Sequence, residues 1–228
     1  MHPLKLITTD DGSHSLYRED LREGYHSYHG ALQESKHVFI KHGLEAWWEV
    51  NPDQTVKVLE VGLGTALNAL LTWERAHAAE RKVEYVSFEA FPVPADIWQQ
   101  LNYPDLLTDP AEARATLEAM HRANWDAGMQ GYGEYFGLDK REAKIEAVEL
   151  PEAAFDLIYF DAFAPNKQGE LWEVGVLEQM ANTLKSGGYL TTYCARGQFK
   201  RDLKAVGLRV ETLPGAPGKA EMVRAVKD

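Results

Sequence analysis

The chain is poor in cysteine, with one residue, Cys194, in 228. A single thiol forms no intrachain disulfide, which fits a reducing compartment. Long apolar runs are missing too, and none approaches the ~18–20 residues that a membrane span needs. The opening "MHPLKLITTDDG" lacks the apolar stretch of a secretory signal. A soluble, cytoplasmic protein with no membrane partner is the expectation. Internal repeats and low-complexity linkers are also absent, so one globular unit is expected. Positive charge is scarce, with 24 Lys/Arg against 35 Asp/Glu and a formal net charge of −11. That argues against a nucleic-acid partner until the distribution is considered. Residues 185–228 hold nine Lys/Arg against four Asp/Glu, a balance of +5, whereas residues 1–184 carry −16. A basic C-terminal segment on an acidic body can still grip phosphates, because the field at the contact face is what counts.

What is present is ample for a core, since 45% of residues are hydrophobic and only 26% charged. The first 50 residues are rich in His and Tyr and lead to a helix near Gly43–Val50. "VKVLEVGLG" is a short buried strand ending in glycines, and "TALNALLTWERAHAAE" a helix. "VEYVSFEAFP" is a second strand with an acidic end. Residues 94–130 are helical, clearest where Asp109-Pro110 supplies an N-cap and a first-turn proline. A third strand lies within "YFGLDKREAKIEAVEL" and a fourth in "FDLIYFDAF". A helix over 171–184 closes at "KSGG", and "YLTTYCA" is the fifth strand. A helix at "GQFKRDLKAVGL" and two strands joined by "PGAPGKA" finish the chain. Strands alternating with helices predict an open, mostly parallel α/β sheet covered on both faces. Ligands then bind beyond the carboxyl ends of the strands.

Three motifs fall at such ends. Gly62 and Gly64 in "LEVGLGTALNAL" let backbone approach a ligand ahead of a helix N-terminus. The third glycine of a dinucleotide fingerprint is replaced by Leu67, and the Gly-Lys-Ser/Thr of a P-loop is missing. Glu60, two residues before the first glycine, suits a ligand with an amino-acid moiety. Glu89 ends the next strand about 25 residues on, where a carboxylate can accept both hydroxyls of a ribose. Together these describe a site for S-adenosylmethionine. Asp161 ends the fourth strand, followed by Phe163, Lys167 and Trp172. A carboxylate there can hold an amine and take its proton, and aromatic rings can stack on a base. The bland alternative is a cap with core aromatics. Four histidines (His26, His29, His37 and His42) lack the framing of a metal site, and no metal is expected.

The blocks "YHSYHGALQESKHVFI", "LEVGLGTALNALLTW", "SFEAFP", "DLIYFDAFAPNKQGELW", "GGYLTTYCARG" and "PGAPGKAEM" run over almost the whole chain. In that order they resemble the family of transfer-RNA 5-aminomethyl-2-thiouridine methyltransferases. These occur as a stand-alone (MnmD-like) form or as the N-terminal half of bifunctional MnmC-like enzymes. The resemblance implies a Rossmann-like class I methyltransferase with a seven-stranded, mostly parallel sheet. It divides the chain into an N-terminal extension closing the site (residues 1–50) and a methyltransferase domain (51–228). It also implies S-adenosylmethionine as methyl donor, no flavin, and the primary amine on wobble uridine 34 of tRNA as acceptor. On the matched positions, Glu60, Gly62, Gly64 and Glu89 would bind the donor, with Asp139 or Glu142 near the adenine and Asp139 preferred. Asp161 would face the amine, and Glu34, Phe163, Lys167 and Trp172 would shape the acceptor pocket. The family pattern "GKRE" reads here Gly218-Lys219-Ala220-Glu221, which puts one basic contact in doubt. The basic C-terminal segment, with Lys200, Arg201, Lys204 and Lys219, is the expected RNA-docking face. A small-molecule N- or O-methyltransferase of the same fold is the main rival and would turn over without tRNA. A non-catalytic RNA-binding module would lack affinity for the donor.

Overall fold

The computed structural model describes residues 4–228. Three short strands, β1 (Leu4–Thr8), β2 (His14–Arg18) and β3 (Glu23–Gly24), form a small antiparallel sheet of their own. The sequence-based expectation has no strands here, because their anchor is remote in sequence. The turn of the β1–β2 hairpin is tied to Asn102, which accepts from His14 N at 2.7 Å and donates to Gly12 O at 2.9 Å. Next comes α1 (Ala31–Ser35), which continues without a break through a π-helical stretch (Lys36–Glu45) into α2 (Ala46–Val50). The helix expected near Gly43–Val50 therefore begins at Ala31. It buries Val38, Phe39, Leu44, Trp47 and Trp48 against the main sheet.

The main sheet grows from β4 (Val56–Val61) through α3 (Leu67–Ala79) to β5 (Val83–Glu89). Residues 94–130 are less helical than expected, with α4 (Ala95–Trp98), a single turn at Tyr103–Leu106, and α5 (Pro110–Arg122). The Asp109 side chain caps α5, accepting from Ala111 N and Glu112 N at 3.1 and 3.0 Å. The chain continues through β6 (Gln130–Gly131), β7 (Phe136–Glu142), β8 (Phe155–Phe160), α6 (Val174–Thr183) and β9 (Leu184–Thr192). It closes with α7 (Gly197–Ala205), β10 (Arg209–Pro214) and β11 (Glu221–Val226). The sheet order is β10-β11-β9-β8-β4-β5-β7-β6. Strands β9, β8, β4, β5 and β7 are parallel, β11 and the two-residue edge β6 run against them, and β10, antiparallel to β11, points the same way as the central strands. The seven expected strands are present, and β6 makes an eighth. "KSGG" is not the loop after a helix but the irregular start of β9. Leu184 pairs with Phe155, the register shifts, and pairing resumes at Tyr189 with Leu157.

Alternation along the central strands sorts side chains between two cores. Val58, Leu157 and Tyr159 face the 31–50 helix, α3 and α5, whereas Leu59, Val61, Ile158 and Phe160 face α6 and α7. Burial on both faces explains the near-continuous apolar reading of β8. The chain leaves β4 for β5 on one side and later crosses from β7 to β8 on the other side of β4. The crevice beyond their carboxyl ends is where this topology opens a ligand site.

Candidate active site

The same parity that sorts the core places polar groups. Glu60 lies on β4 in step with Val58, and Asp161 follows β8 in step with Tyr159, so both project toward α3. Asn68, in the first turn of α3, reaches both. Its Nδ2 donates to Asp161 Oδ2 at 2.8 Å and to Glu60 Oε1 at 3.1 Å. Ser87, paired with Glu60 across β4 and β5, donates from Oγ to Glu60 Oε2 at 2.7 Å. Glu60 is wholly buried, so it stands behind the cavity rather than on its wall. Burial, with a neighbouring Asp161, pushes its carboxyl up to about 8 despite the bonds from Ser87 and Asn68. Asp161 itself is pushed up to about 7, first by burial and then by Glu34, against the opposing pull of Asn68 and Lys219. A carboxyl near neutrality can hold a proton or take one at physiological pH.

In front of this pair a cavity is walled by Val61 to Thr65, Glu89 to Phe91, Ala143 to Glu146, and Asp161 to Phe163. Gly62 and Gly64 both take positive φ, 89° and 52°. A Cβ on Gly62 would press within 3.2 Å of Asp161 O, and one on Gly64 within 3.2 Å of the Tyr25 ring. Glu89 holds the turn in place: Gly64 N donates to Oε2 at 2.9 Å and Phe91 N to Oε1 at 2.8 Å. With Ala90 as a further backbone partner, the carboxylate still has capacity for another donor. Burial raises the Glu89 carboxyl despite those bonds. The N-terminal segment supplies Arg18, Tyr25 and His26 to the wall. Tyr25 meets Phe163 edge-to-face at 5.0 Å, and the Arg18 guanidinium lies 5.6 Å over the same ring. His26 binds Ser15 Oγ through Nδ1 at 2.9 Å, and burial pushes it down to about 4.

Of the ten residues expected at the site, Gly62, Gly64, Glu89, Asp161 and Phe163 border the cavity. Glu34 lies close by, buried, accepting from Ser27 N at 3.2 Å and paired with Lys219 at 2.5 Å. Four others are placed differently, Glu60 behind the cavity and three elsewhere. Asp139 sits three residues before the end of β7, off the cavity wall, and is engaged at 2.8 and 3.0 Å by Arg141. The wall is built instead by Ala143, Lys144, Ile145 and Glu146, just past that end. Lys167 is turned away, donating to Leu21 O at 2.6 Å and so tying the 161–172 loop to the N-terminal segment. Trp172 is core: it packs at 5.0 Å on Phe160 and 4.9 Å on Phe199 and donates to Phe163 O at 2.8 Å. Asn68, Arg18 and Tyr25 went unread in the sequence. The signal for Asn68 is a polar residue in the otherwise apolar "ALNALL" on the cavity side of α3.

The histidines are engaged separately: His26 with Ser15, His29 with Asp10, His37 with Pro214 O and the His42 ring. Among the described residues no group of three or more His, Cys, Asp or Glu is arranged to hold a metal ion. Nor is any described helix long and apolar enough to cross a membrane. In the basic C-terminal segment, Lys200 pairs with Glu221 at 2.6 Å and Lys219 turns inward to Glu34. Arg201 and Lys204 are exposed on α7.

Residues 138–228 match the model of a family described as S-adenosyl-L-methionine-dependent methyltransferase. The chain is 31% identical over 222 residues to the tRNA 5-methylaminomethyl-2-thiouridine biosynthesis bifunctional protein MnmC of Delftia acidovorans, covering 93% of this chain and 33% of that protein. The protein of the same name from Aromatoleum aromaticum is 31% identical over 234 residues, covering 97% and 35%. The chain thus spans about a third of the length of these curated relatives. In three dimensions it resembles the crystal structure of MNMC2 from Aquifex aeolicus with a TM-score of 0.80. That match has 20% identity and covers 100% of this chain and 71% of the other. The fold is that of the class I methyltransferases.

Proposed function

We propose that this chain transfers a methyl group from S-adenosylmethionine to the primary amine of a 5-aminomethyl group on (2-thio)uridine at position 34 of tRNA, giving 5-methylaminomethyl-(2-thio)uridine. The observation that carries the proposal is Asp161, a carboxyl near neutrality at the cavity floor, bonded to Asn68 and within the field of Glu34. The relatives named for biosynthesis of this nucleoside supply the substrate class.

The residues present fit the donor. The backbone at Gly62 and Gly64 approaches the cavity without side chains, and Glu89 on the cavity wall offers a carboxylate acceptor for a ribose hydroxyl. Adenine is assigned to the 143–146 wall rather than to Asp139. When bound, S-adenosylmethionine would supply an electrophilic methyl group, its S–CH3 bond breaking to leave a neutral thioether. The chain's task is to deliver a neutral amine with its lone pair in line, a matter of positioning more than of covalent chemistry. Asp161 accepts an amine N–H, sets the lone-pair direction and takes the proton lost as the N–C bond forms. Asn68 fixes the Asp161 carboxylate, and Glu60 holds Asn68 from behind. Phe163, with Tyr25 and Arg18 behind it, offers the uracil ring a face to stack on.

Residues 1–50 act as the cover of the site, a role supported by Arg18, Tyr25 and His26 on the wall and by the Lys167 tie to Leu21. RNA docking is assigned to α7, where Arg201 and Lys204 are exposed and Lys200 is held by Glu221. A tRNA substrate makes the cytoplasm the working compartment. Mass analysis of nucleosides tests the function: tRNA carrying 5-aminomethyl-2-thiouridine, incubated with protein and donor, should yield a nucleoside one methyl heavier at position 34. Methylation of free small amines with tRNA left unchanged would overturn it.

A further inference from the structure

The loop between β10 and β11 reaches across the molecule to the N-terminal segment. His37 Nε2 hydrogen-bonds to Pro214 O at 2.8 Å, and Gly218, at φ 83°, packs so close to the His29 ring that a Cβ would overlap it. The next residue, Lys219, lies 2.5 Å from Glu34 Oε2, with its ammonium 3.9 Å above the Tyr193 ring. Tyr193 in turn donates to Ala162 O at 2.8 Å, adjacent to Asp161. A lysine from a surface hairpin is thus clasped inward, over the rear of the site.

We propose that Lys219 is a positioning residue for the acceptor: held on Glu34, its ammonium opposes a second positive charge in front of Asp161 and so favours the neutral, nucleophilic amine. This rests on the amine-methylating function proposed above and adds how that amine loses its charge. Free primary alkylamines are protonated at neutral pH, as a lysine side chain is. A cation entering beside Asp161 and Glu34 would be held firmly by two carboxylates and left without a lone pair for the methyl group. One fixed ammonium at the same cluster offsets that attraction, because like charges at short range in a buried site disfavour each other's charged forms. The groups facing Lys219 and Asp161 are Glu34 from α1, Glu23 from β3 and His26 after it, Asn68 from α3, Glu60 from β4, Tyr85 from β5, and Tyr193 and Cys194 after β9. Burial holds His26 neutral and pushes the Tyr193 and Cys194 hydrogens on more firmly. Glu34 is matched by Lys219 itself, so this lysine is the cation that sets the balance at the amine.

The test compares Lys219→Met, which keeps the stem over Tyr193, with Lys219→Arg, which keeps the charge. Single-turnover methylation of aminomethyl-bearing tRNA is measured against pH, alongside carboxyl NMR titration of Asp161 in the ligand-free protein. In Lys219→Met the acid limb of the rate should move up by about one to three pH units. The rate at pH 7 should fall about tenfold or more, KM should stay or fall, and the rate should recover at high pH. Lys219→Arg should track the wild type, and the Asp161 titration should also move up in Lys219→Met. A Lys219→Met profile superimposed on the wild type, or an unmoved Asp161 titration, overturns the proposal. Wild-type protein that leaves the tRNA amine unmethylated contradicts the proposed function instead, and the NMR titration still tests the charge coupling. Should Lys219→Met not fold, Lys219→Gln carries the same comparison.

Discussion

Asp161 and Glu60 share one amide nitrogen, Asn68 Nδ2, in a region with little water to disperse their charge. Both carboxyls hold protons more tightly in the folded chain than in the unfolded one, where ordinary carboxylate values apply. Between about pH 4 and pH 8 the native state therefore binds more protons, and stability falls as pH rises through that window. Glu60→Gln removes one contribution while keeping an oxygen for Asn68 and an amide for Ser87. Urea unfolding at pH 5 and pH 8 should show a loss in the wild type that is smaller in Glu60→Gln. Equal losses in the two proteins would mean that Glu60 is ionised in the native state throughout. At this scale the sequence was legible at the strand ends, where Gly62, Gly64, Glu89 and Asp161 all border the cavity. It was not legible where a residue acts through a contact distant in sequence. Asn68 needs Asp161, 93 residues away, to reveal its role. Lys219 looked like a surface cation until Glu34 met it.

Elements were read well where pattern and punctuation agree. The parallel strands, α3 and the Asp109-capped α5 follow from apolar runs and caps. The misreadings share a cause: tertiary pairing outweighed local signals. "KSGG" carries a helix-stop signature, yet pairing with β8 draws it into β9. The hairpin of β1 and β2 depends on Asn102, which no local pattern announces. Trp172 illustrates the ambiguity of aromatics near a site, since its ring belongs to the core and only its N–H touches the Phe163 loop. Trp172→Ala should accordingly destabilise the fold by about 3–5 kcal/mol. Donor affinity should change little, because no donor-facing group is removed. Thermal melting with calorimetry of donor binding checks this. An unchanged melting temperature with only acceptor KM raised would put the ring in the acceptor pocket after all.

Across the whole molecule, charge is sorted rather than merely negative. Much of the C-terminal basicity is spent inside the chain: Arg224 and Arg209 pair with Glu211, Lys185 with Asp156, and Lys200 with Glu221. The +5 balance of that segment overstates what RNA can meet. Replacing exposed Arg201 and Lys204 by neutral residues should flatten the slope of log affinity for tRNA against log salt by about 0.7–0.9 for each phosphate left without its cation. An unchanged slope would move the docking face away from α7. The account as a whole turns on Asp161 as the group that receives the amine and its proton. Asn in its place keeps the shape and a hydrogen-bond acceptor but loses charge and basicity. The most direct measurement is single-turnover methyl transfer to 5-aminomethyl-2-thiouridine tRNA by Asp161→Asn, with donor affinity and melting measured on the same protein. The account predicts a fall of about 10²–10⁴-fold, partly recovered at higher pH, with fold and donor binding intact. Transfer at near the wild-type rate would contradict it.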